Sequence, residues 1–490
     1  MQTVPYSPKF LLELATYLND RVIMDHSNPL RNLIVGVDNQ TPLAGGGTST
    51  YINFDNAAST PALKTTQAAA NELLETYASI HRGAGYKSQL SSEWYDLSRD
   101  VAIDFVGADP DIHCAVFTTN STDSLNRLAR MLPRDNDHSI IISELEHHAN
   151  DLPWRERGRT VRVPVTDQGW IDPDKLDHYL KCEGSRARLV SLTGASNVVG
   201  TLQPIEELTA VAHKHGVPIC IDAAQLAPHK PISMQLKNGE IIDFLVLSGH
   251  KMYAPFGGGL LVGRKDLMSD SPPALRGGGA VLVVEPNAVD WAAPPEREEA
   301  GSPNVLGAIT LSTAMKTLKK IGFDKLDEVE LRLTRKFLAG LETIGADIYG
   351  LTGEENMHRR LGVISFNLPD IPHDLTAAIL ADEAGIGVRN GCFCAHPFVL
   401  QMLHVRQEEV EAFRERMRHG DKSDIPGAVR ISFGLYNTEA EVDTVLEWLE
   451  KISNGCCVEL YDRDNHGNYR RKAGEPNYEQ AVRNIWSSIL

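Results

Sequence analysis

The chain has 490 residues, a formal net charge of -17, and 42% hydrophobic and 23% charged residues. At ~100–200 residues per domain, that length implies two or three domains with ample core, and the composition is that of an ordinary globular protein. The acidic balance argues against a nucleic-acid partner or an anionic membrane surface, both of which favour a basic face. Seven cysteines, an odd number, make no disulfide framework and fit a reducing compartment. The start, "MQTVPYSPKFLLELATYLND", has no basic segment followed by an apolar core, so no signal peptide is expected. No apolar run approaches the ~20 residues of a membrane span. A soluble, cytoplasmic protein is the expectation.

Residues 8–24 are predicted to be a helix, with Phe10, Leu11, Leu14, Leu18 and Val22 on one face. An irregular arm follows to residue 50, and residues 1–50 are expected to pack with a small C-terminal domain. From 51 to about 265 strand and helix patterns alternate. Strands are predicted at Tyr51–Phe54, Cys114–Phe117, Ser139–Ile142, Leu189–Leu192, Val217–Ile221 and Phe244–Leu247. Several are continuous β-branched runs, as in strands covered on both faces. "PIEELTAVAHKHG" reads as a helix: Pro204 suits a first turn, Ile205, Leu208 and Val211 form a stripe, and Gly216 ends it. A helix between two apolar strands is a βαβ unit, so residues 51–310 are expected to form an α/β domain with a mostly parallel sheet.

The texture changes near 310. A helix-rich stretch at 311–345 precedes a strand, Gly362–Phe366, and a helix at 374–384. Another strand, Val429–Ser432, leads to a helix opened by Thr438 with Glu441 three residues on, a capping box. Residues 311–455 thus read as a smaller α+β domain, interrupted by a charged insertion at about 406–424. The 456–490 tail ends in a helix with Tyr478, Ala481, Val482, Ile485, Trp486 and Ile489 on one face, expected to dock on the body or on a partner subunit.

Ligands of parallel α/β sheets bind beyond the carboxyl ends of the strands. Lys251 in "LSGHKMYAP" lies just past such an end. A lysine there is commonly a solvated loop residue, but one with a depressed pKa is a nucleophilic amine that forms Schiff bases with carbonyls. Asp222 of "ICIDAAQ" directly follows another buried strand. It suits an N-cap or a core ion pair, and equally a partner that keeps a pyridine nitrogen protonated as an electron sink. Asn120, Ser121 and Thr122 precede a helix striped by Leu125, Leu128 and Met131, which is either a plain N-cap or a phosphate seat. His147 and His148 of "ELEHHAND" are ordinary surface residues or offer a ring to stack on a planar ligand. Taken together, the four elements describe one ligand, planar, cationic at nitrogen, phosphorylated and bearing a carbonyl: pyridoxal 5'-phosphate.

The stretches "FDNAAST", "HRG", "STDSLN", "ELEHHAND", "ASNVVGT", "IDAAQ", "SGHKMYAPFGGG", "RGGG", "EAGSPN", "VRNGCFCAHP" and "RISFGLYNTEAEVD" cover about residues 50–455. In that order they resemble the class V aminotransferase family, pyridoxal-phosphate enzymes of fold type I. The resemblance is greatest to its group II (Suf-type) cysteine desulfurases. It implies a large domain with a mostly parallel mixed sheet, a smaller α+β domain, and a homodimer with shared active sites. It assigns Lys251 to the cofactor linkage and Asp222 to the ring nitrogen. Gln225 falls to the phenolic oxygen, His147 to ring stacking, and Ser121, Thr122, Ser248 and His250 to the phosphate. Ser302 is assigned to the phosphate of the other subunit. Asn197 is placed beside ring and substrate, Arg430 on the substrate carboxylate, and Arg389 and His81 in the substrate site.

Cys394, five residues after Arg389, matches the desulfurase nucleophile, and Cys392 stands where the group usually has histidine. "GCFC" also resembles the molybdenum-cofactor sulfurases. The implied reaction converts L-cysteine to L-alanine and leaves a persulfide on Cys394 for an acceptor protein, with iron–sulfur cluster assembly as the pathway the resemblance suggests. The attacking species must be a thiolate, which Arg389 is placed to favour. A carbon–sulfur lyase, an epimerase or an aminotransferase of a biosynthetic pathway remains an alternative, and a Cys-x-Cys-x-His string also has the residue types of a metal site.

Overall fold

The computed structural model describes residues 28–81, 83–474 and 476–490. The helix expected over residues 8–24 lies outside the described residues. The central element is a seven-stranded sheet of β1 (His113–Thr118), β2 (Ser139–Ser143), β3 (Arg159–Val163), β4 (Ala187–Thr193), β5 (Ile219–Asp222), β6 (Phe244–Ser248) and β7 (Gly259–Arg264). Its spatial order is β1-β7-β6-β5-β4-β2-β3. β2 to β6 run parallel, and β7 is antiparallel to both β6 and β1. β1, β2, β5 and β6 are buried at every position, which is why their sequences are unbroken apolar runs rather than alternating ones.

Helices cover the sheet. Ile205–Lys214 buries Leu208, Thr209 and Ala212 and carries Glu206 and Glu207 in its first turn, where they complement the helix dipole. Tyr86–Phe105 packs against Val305–Ile321, whose twelve buried residues make it the most enclosed helix of this layer. The resulting apolar cluster draws its residues from as early as Leu30 and as late as Tyr436.

A second core surrounds an antiparallel sheet of β8 (Asp347–Tyr349), β9 (Val363–Asn367), β10 (Arg389–Gly391) and β11 (Ala428–Ser432), in the order β8-β9-β11-β10. The capping box is present: Thr438 accepts from Glu441 N at 3.2 Å and Glu441 accepts from Thr438 N at 3.0 Å. It opens a helix, Glu439–Ser453, that buries Val442, Val445, Leu449 and Ile452. The segment expected as a first strand of the large sheet behaves differently. Ile52–Asn53 pairs in parallel with Ile386–Gly387, and Ile52 and Phe54 belong to the second core. The arm before it is fastened nearby: Asn28 Nδ2 donates to Leu435 O at 2.7 Å, and Arg31 pairs with Glu441 at 2.6 Å.

The charged insertion forms an exposed helix, Gln407–Arg418, with one buried residue, Phe413. The tail contains a hairpin, Tyr461–Arg463 with Tyr469–Arg471, that the polar sequence did not signal. The terminal helix Tyr478–Ile489 has no buried residue. Its apolar face, with Trp486 61% and Ile489 74% exposed, docks on none of the described residues. No described helix is long and apolar enough to cross a membrane.

Candidate active site

The carboxyl ends of β1, β2, β4, β5 and β6 open onto one cavity of about 280 Å³. Twelve of the residues singled out in the sequence line it: Ser121, Thr122, His147, Asn197, Asp222, Gln225, Ser248, His250, Lys251, Arg389, Cys394 and Arg430. They come together because each is the last residue of a strand, sits two to four residues past one, or lies on the facing strands β10 and β11, where Arg389 and Arg430 are register partners.

At one end lies the N-terminus of the helix Ser121–Met131. Asn120 caps it, accepting from Asp123 N at 2.9 Å. Ser121 N donates to Ser248 Oγ at 2.7 Å, and the two hydroxyls lie 2.9 Å apart. β7 closes against this turn, and only a glycine fits: a Cβ on Gly259 would stand 2.4 Å from Asn120 Cα. Free donors at a helix N-terminus, together with hydroxyls, favour a phosphate.

Asp222 lies at the end of β5, 5% exposed. It accepts from Ala224 N at 3.0 Å. Burial raises its pKa, opposed by that hydrogen bond and by the Lys251 charge. Lys251 follows β6 in a short 3-10 turn. Burial, aided by the charge of Arg430 and opposed by Asp222, pulls its ammonium down to about 8. Burial and the nearby Lys251 charge hold His147 down to about 3 and His250 to about 4. His147 is therefore a neutral ring at physiological pH. Its Nδ1 accepts from Ala149 N at 3.0 Å, which leaves the proton on Nε2. Gln225 Nε2 donates to Ala57 O at 2.7 Å.

Arg430 is 3% exposed. It donates to Asn197 O at 2.8 Å and to Asp55 Oδ1 at 3.0 Å, and its guanidinium lies 4.9 Å from the Phe393 ring centroid. Its Nε is buried and has no hydrogen-bond partner among the described residues. Arg389 approaches the other oxygen of Asp55 at 3.6 Å. Two guanidinium groups thus converge on one carboxylate, an arrangement that also suits a substrate carboxylate.

Phe393 and Cys394 both lie in the left-handed region, φ 50° and 56°, at about 1 kcal/mol or more each for side chains of this kind. The turn leaves the Cys394 thiol exposed at the cavity. Cys392 faces the opposite way. It is buried, it donates to Pro426 O at 3.1 Å, and burial pushes its thiol up to about 12. The two sulfurs of "CFC" therefore do not form a common ligand set, and among the described residues no group of three or more His, Cys, Asp or Glu side chains is placed to hold a metal ion.

Two expected residues lie elsewhere. His81 and Ser302 line a separate cavity of about 530 Å³ with Arg99, Glu296 and Glu299. His81 Nε2 is 2.9 Å from Asp96. Packing of Tyr86–Phe105 on Val305–Ile321 brings the loops leading into both helices together there, so neither residue lines the Lys251 cavity within one chain.

Two residues of the site carry no local sequence signal. Asp55 contacts Arg430 across 375 positions. Glu146, 2% exposed, binds Ser143 Oγ at 2.6 Å, Asn150 Nδ2 at 2.6 Å and Thr193 N at 3.1 Å. It ties β2 to β4 directly behind His147, and burial raises its pKa to about 8.

The cavity fits pyridoxal 5'-phosphate by its donor set: hydroxyls and a helix N-terminus for a phosphate, a buried carboxylate for a ring nitrogen, a neutral imidazole for a ring face, and a poised amine for a carbonyl.

Comparison with known proteins agrees with this geometry. The family described as Aminotransferase class-V matches residues 52–445. A probable cysteine desulfurase of Streptomyces coelicolor is 35% identical over 418 residues, covering 82% of this chain and 92% of that protein. One of Pyrococcus abyssi is 34% identical over 415 residues, covering 83% and 95%. Among solved structures, the apo cysteine desulfurase of Thermococcus onnurineus superimposes with a TM-score of 0.72 at 32% identity, covering 83% of this chain and 95% of that one. A site built at the strand ends of a mixed seven-stranded sheet, a matched span of most of the chain and relatives aligned nearly end to end lead to one assignment: the chain belongs to the class V aminotransferase family.

Proposed function

We propose that this chain is a pyridoxal-phosphate-dependent cysteine desulfurase, which converts L-cysteine to L-alanine and holds the sulfur as a persulfide on Cys394. The observation that carries this reading is the exposed Cys394 thiol in the same cavity as Lys251 and Arg430. The names of the relatives over most of their length support it.

Ser121, Thr122, Ser248 and His250 would hold the phosphate, Asp222 the ring nitrogen, Gln225 the phenolic oxygen and His147 the ring face. The cofactor, when bound, supplies an electron sink for the pair left by a broken Cα–H bond. Arg430, with Arg389, takes the substrate carboxylate, and Asp55 must then share or yield its hold on both. Asn197 Nδ2 donates to Phe393 O at 2.7 Å, so it sets the cysteine loop against the substrate pocket. Lys251, with its pKa near 8, suits both capture of a carbonyl and movement of the Cα proton near neutral pH. The Cys394 thiolate attacks the substrate sulfur: a sulfur–sulfur bond forms at Cys394, the substrate Cβ–S bond breaks, and its electrons remain with the alanine skeleton until it is protonated.

We infer in addition a homodimer with shared sites. His81 and Ser302 line the second cavity of the same chain, and a two-fold partner is the means by which they reach a cofactor. The bare terminal helix offers such a partner further surface. The persulfide is then available to an acceptor protein, with iron–sulfur cluster assembly as one consumer. Seven free thiols suit a reducing compartment such as the cytoplasm.

The test is incubation of the cofactor-loaded protein with L-cysteine in the absence of reductant. About one alanine and one protein persulfide per site, followed by a stall, is the expected outcome. Cys394→Ser retains the cofactor and forms no persulfide. Pyruvate or racemised amino acid in place of alanine would instead indicate a lyase or an epimerase.

A further inference from the structure

The turn that presents Cys394 is held from both sides. On one side Asn197 donates to Phe393 O at 2.7 Å. On the other the backbone N–H of His148 donates to Cys394 O, also at 2.7 Å. His148 is itself fastened to the far end of the same turn. His396 Nδ1 lies 3.0 Å from His148 Nε2, with the two rings within 11° of parallel and their centroids 4.8 Å apart. His396 stands two residues past Cys394 and begins the helix His396–Met402. The chain from Cys394 to His396, the ring pair and the His148 backbone therefore close a small loop around the nucleophile.

Neither histidine lines the cavity that contains Lys251, so neither touches the reacting atoms. The imidazole pair needs one N–H donor and one bare nitrogen. Burial holds both rings below the ordinary imidazole range, so that combination persists at neutral pH. Successive non-glycine residues at positive φ persist only where their surroundings over-determine them, and this ring pair with its backbone bond is such a surrounding.

We propose that His148 and His396 are positioning residues: a clasp that keeps the Cys394 turn wound, with its thiol in the pocket, for sulfur transfer. This deepens the desulfurase reading and rests on it.

The experiment compares holoenzyme of the wild type, His396→Ala and His396→Asn. It measures the cofactor spectrum, steady-state alanine release with an external thiol, and deuterium uptake of the peptide spanning 391–396. An asparagine amide stands where Nδ1 stood and offers His148 Nε2 either a donor or an acceptor. For His396→Ala the expected result is an unchanged cofactor spectrum, KM for L-cysteine within about twofold, kcat lower by roughly ten- to a hundredfold, as for a displaced reactive group, and faster uptake in that peptide. His396→Asn is expected to recover most of both losses. The clasp is overturned if His396→Ala exchanges and turns over as the wild type does, or if asparagine is no better than alanine. His148→Asn, which preserves the backbone donor, supplies a second reading should His396→Ala fail to fold: faster uptake supports the clasp, and unchanged uptake opposes it. Wild-type protein that releases no alanine from cysteine would defeat the desulfurase reading alone, because deuterium uptake tests the clasp separately.

Discussion

Replacing Arg430 with lysine removes a fork and leaves a point charge. Arg430 makes a hydrogen bond to Asn197 O, a charge-assisted bond to Asp55 and a stacking contact with Phe393. In the role proposed for Arg430, its charge-assisted bond to Asp55 passes to the substrate carboxylate. A lysine ammonium reaches one of these acceptors but does not span them. The loss is one charge-assisted hydrogen bond, about 1.5–3 kcal/mol, and the guanidinium–ring contact, about 0.5–1 kcal/mol. A total of about 2–4 kcal/mol corresponds to roughly a 30- to 1000-fold fall in kcat/KM at 1.36 kcal/mol per decade. The carboxylate is gripped equally in ground and transition states, so the fall should be mostly in KM. Alanine release measured against L-cysteine concentration for Arg430→Lys provides the numbers. A change in kcat/KM below threefold would refute the carboxylate clamp, as would a fall confined to kcat.

Three further outcomes are expected. The Lys251 pKa, lowered from 10.5 to about 8, means that between pH 8 and 10.5 the unfolded chain holds a proton that the folded apoprotein has released. Apoprotein stability relative to Lys251→Met should therefore rise with pH across that window, by about 3 kcal/mol in total, as read by urea unfolding at each pH; a flat difference would mean that the amine is not desolvated. Gly259→Ala drives a Cβ into the Asn120 backbone. Because backbone cannot swing aside, it should lower stability by several kcal/mol and weaken cofactor capture, measured by thermal melting and by titration of the cofactor absorption band. Cys392→Ser should leave alanine release within twofold, because its sulfur points to Pro426 O rather than into the cavity, and a large loss of turnover would contradict that orientation.

The elements most legible in the sequence were those whose signals are local. The capping box at Thr438 and Glu441 is a four-residue pattern, and β5 and β6 announce themselves as apolar runs because both of their faces are covered. The same runs pointed to the site, since a polar residue placed just after a buried strand has few other reasons to be there; Asp222 and Lys251 were singled out in this way, and Asn197 and Cys394 through resemblance. What was missed depends on tertiary pairing. Asp55 gains its role only when β11 brings Arg430 to it. Glu146 is an ordinary acidic residue until its neighbours fold over it. β7 was hidden in a glycine-rich stretch whose first residue must be small because Asn120 is so near. The strand at Ile52 was recognised as extended but not as a member of the second core, because pattern does not specify a partner. His81 shows the corresponding limit for resemblance: it was placed in the substrate site, yet within one chain it lines the other cavity.

The inward turn of Cys392 has a consequence for the fate of the stored sulfur. Many reactive thiols keep a second thiol within reach, so that an oxidised or sulfur-loaded state resolves to an internal disulfide. Here the neighbouring sulfur is committed to Pro426 O and, with its thiol held near 12, carries almost no thiolate at neutral pH. A persulfide on Cys394, in the role proposed for it, would therefore have no drain to Cys392: it would wait until an outside thiol collects it, and the same isolation would leave Cys394 without a built-in rescue when an oxidant arrives first.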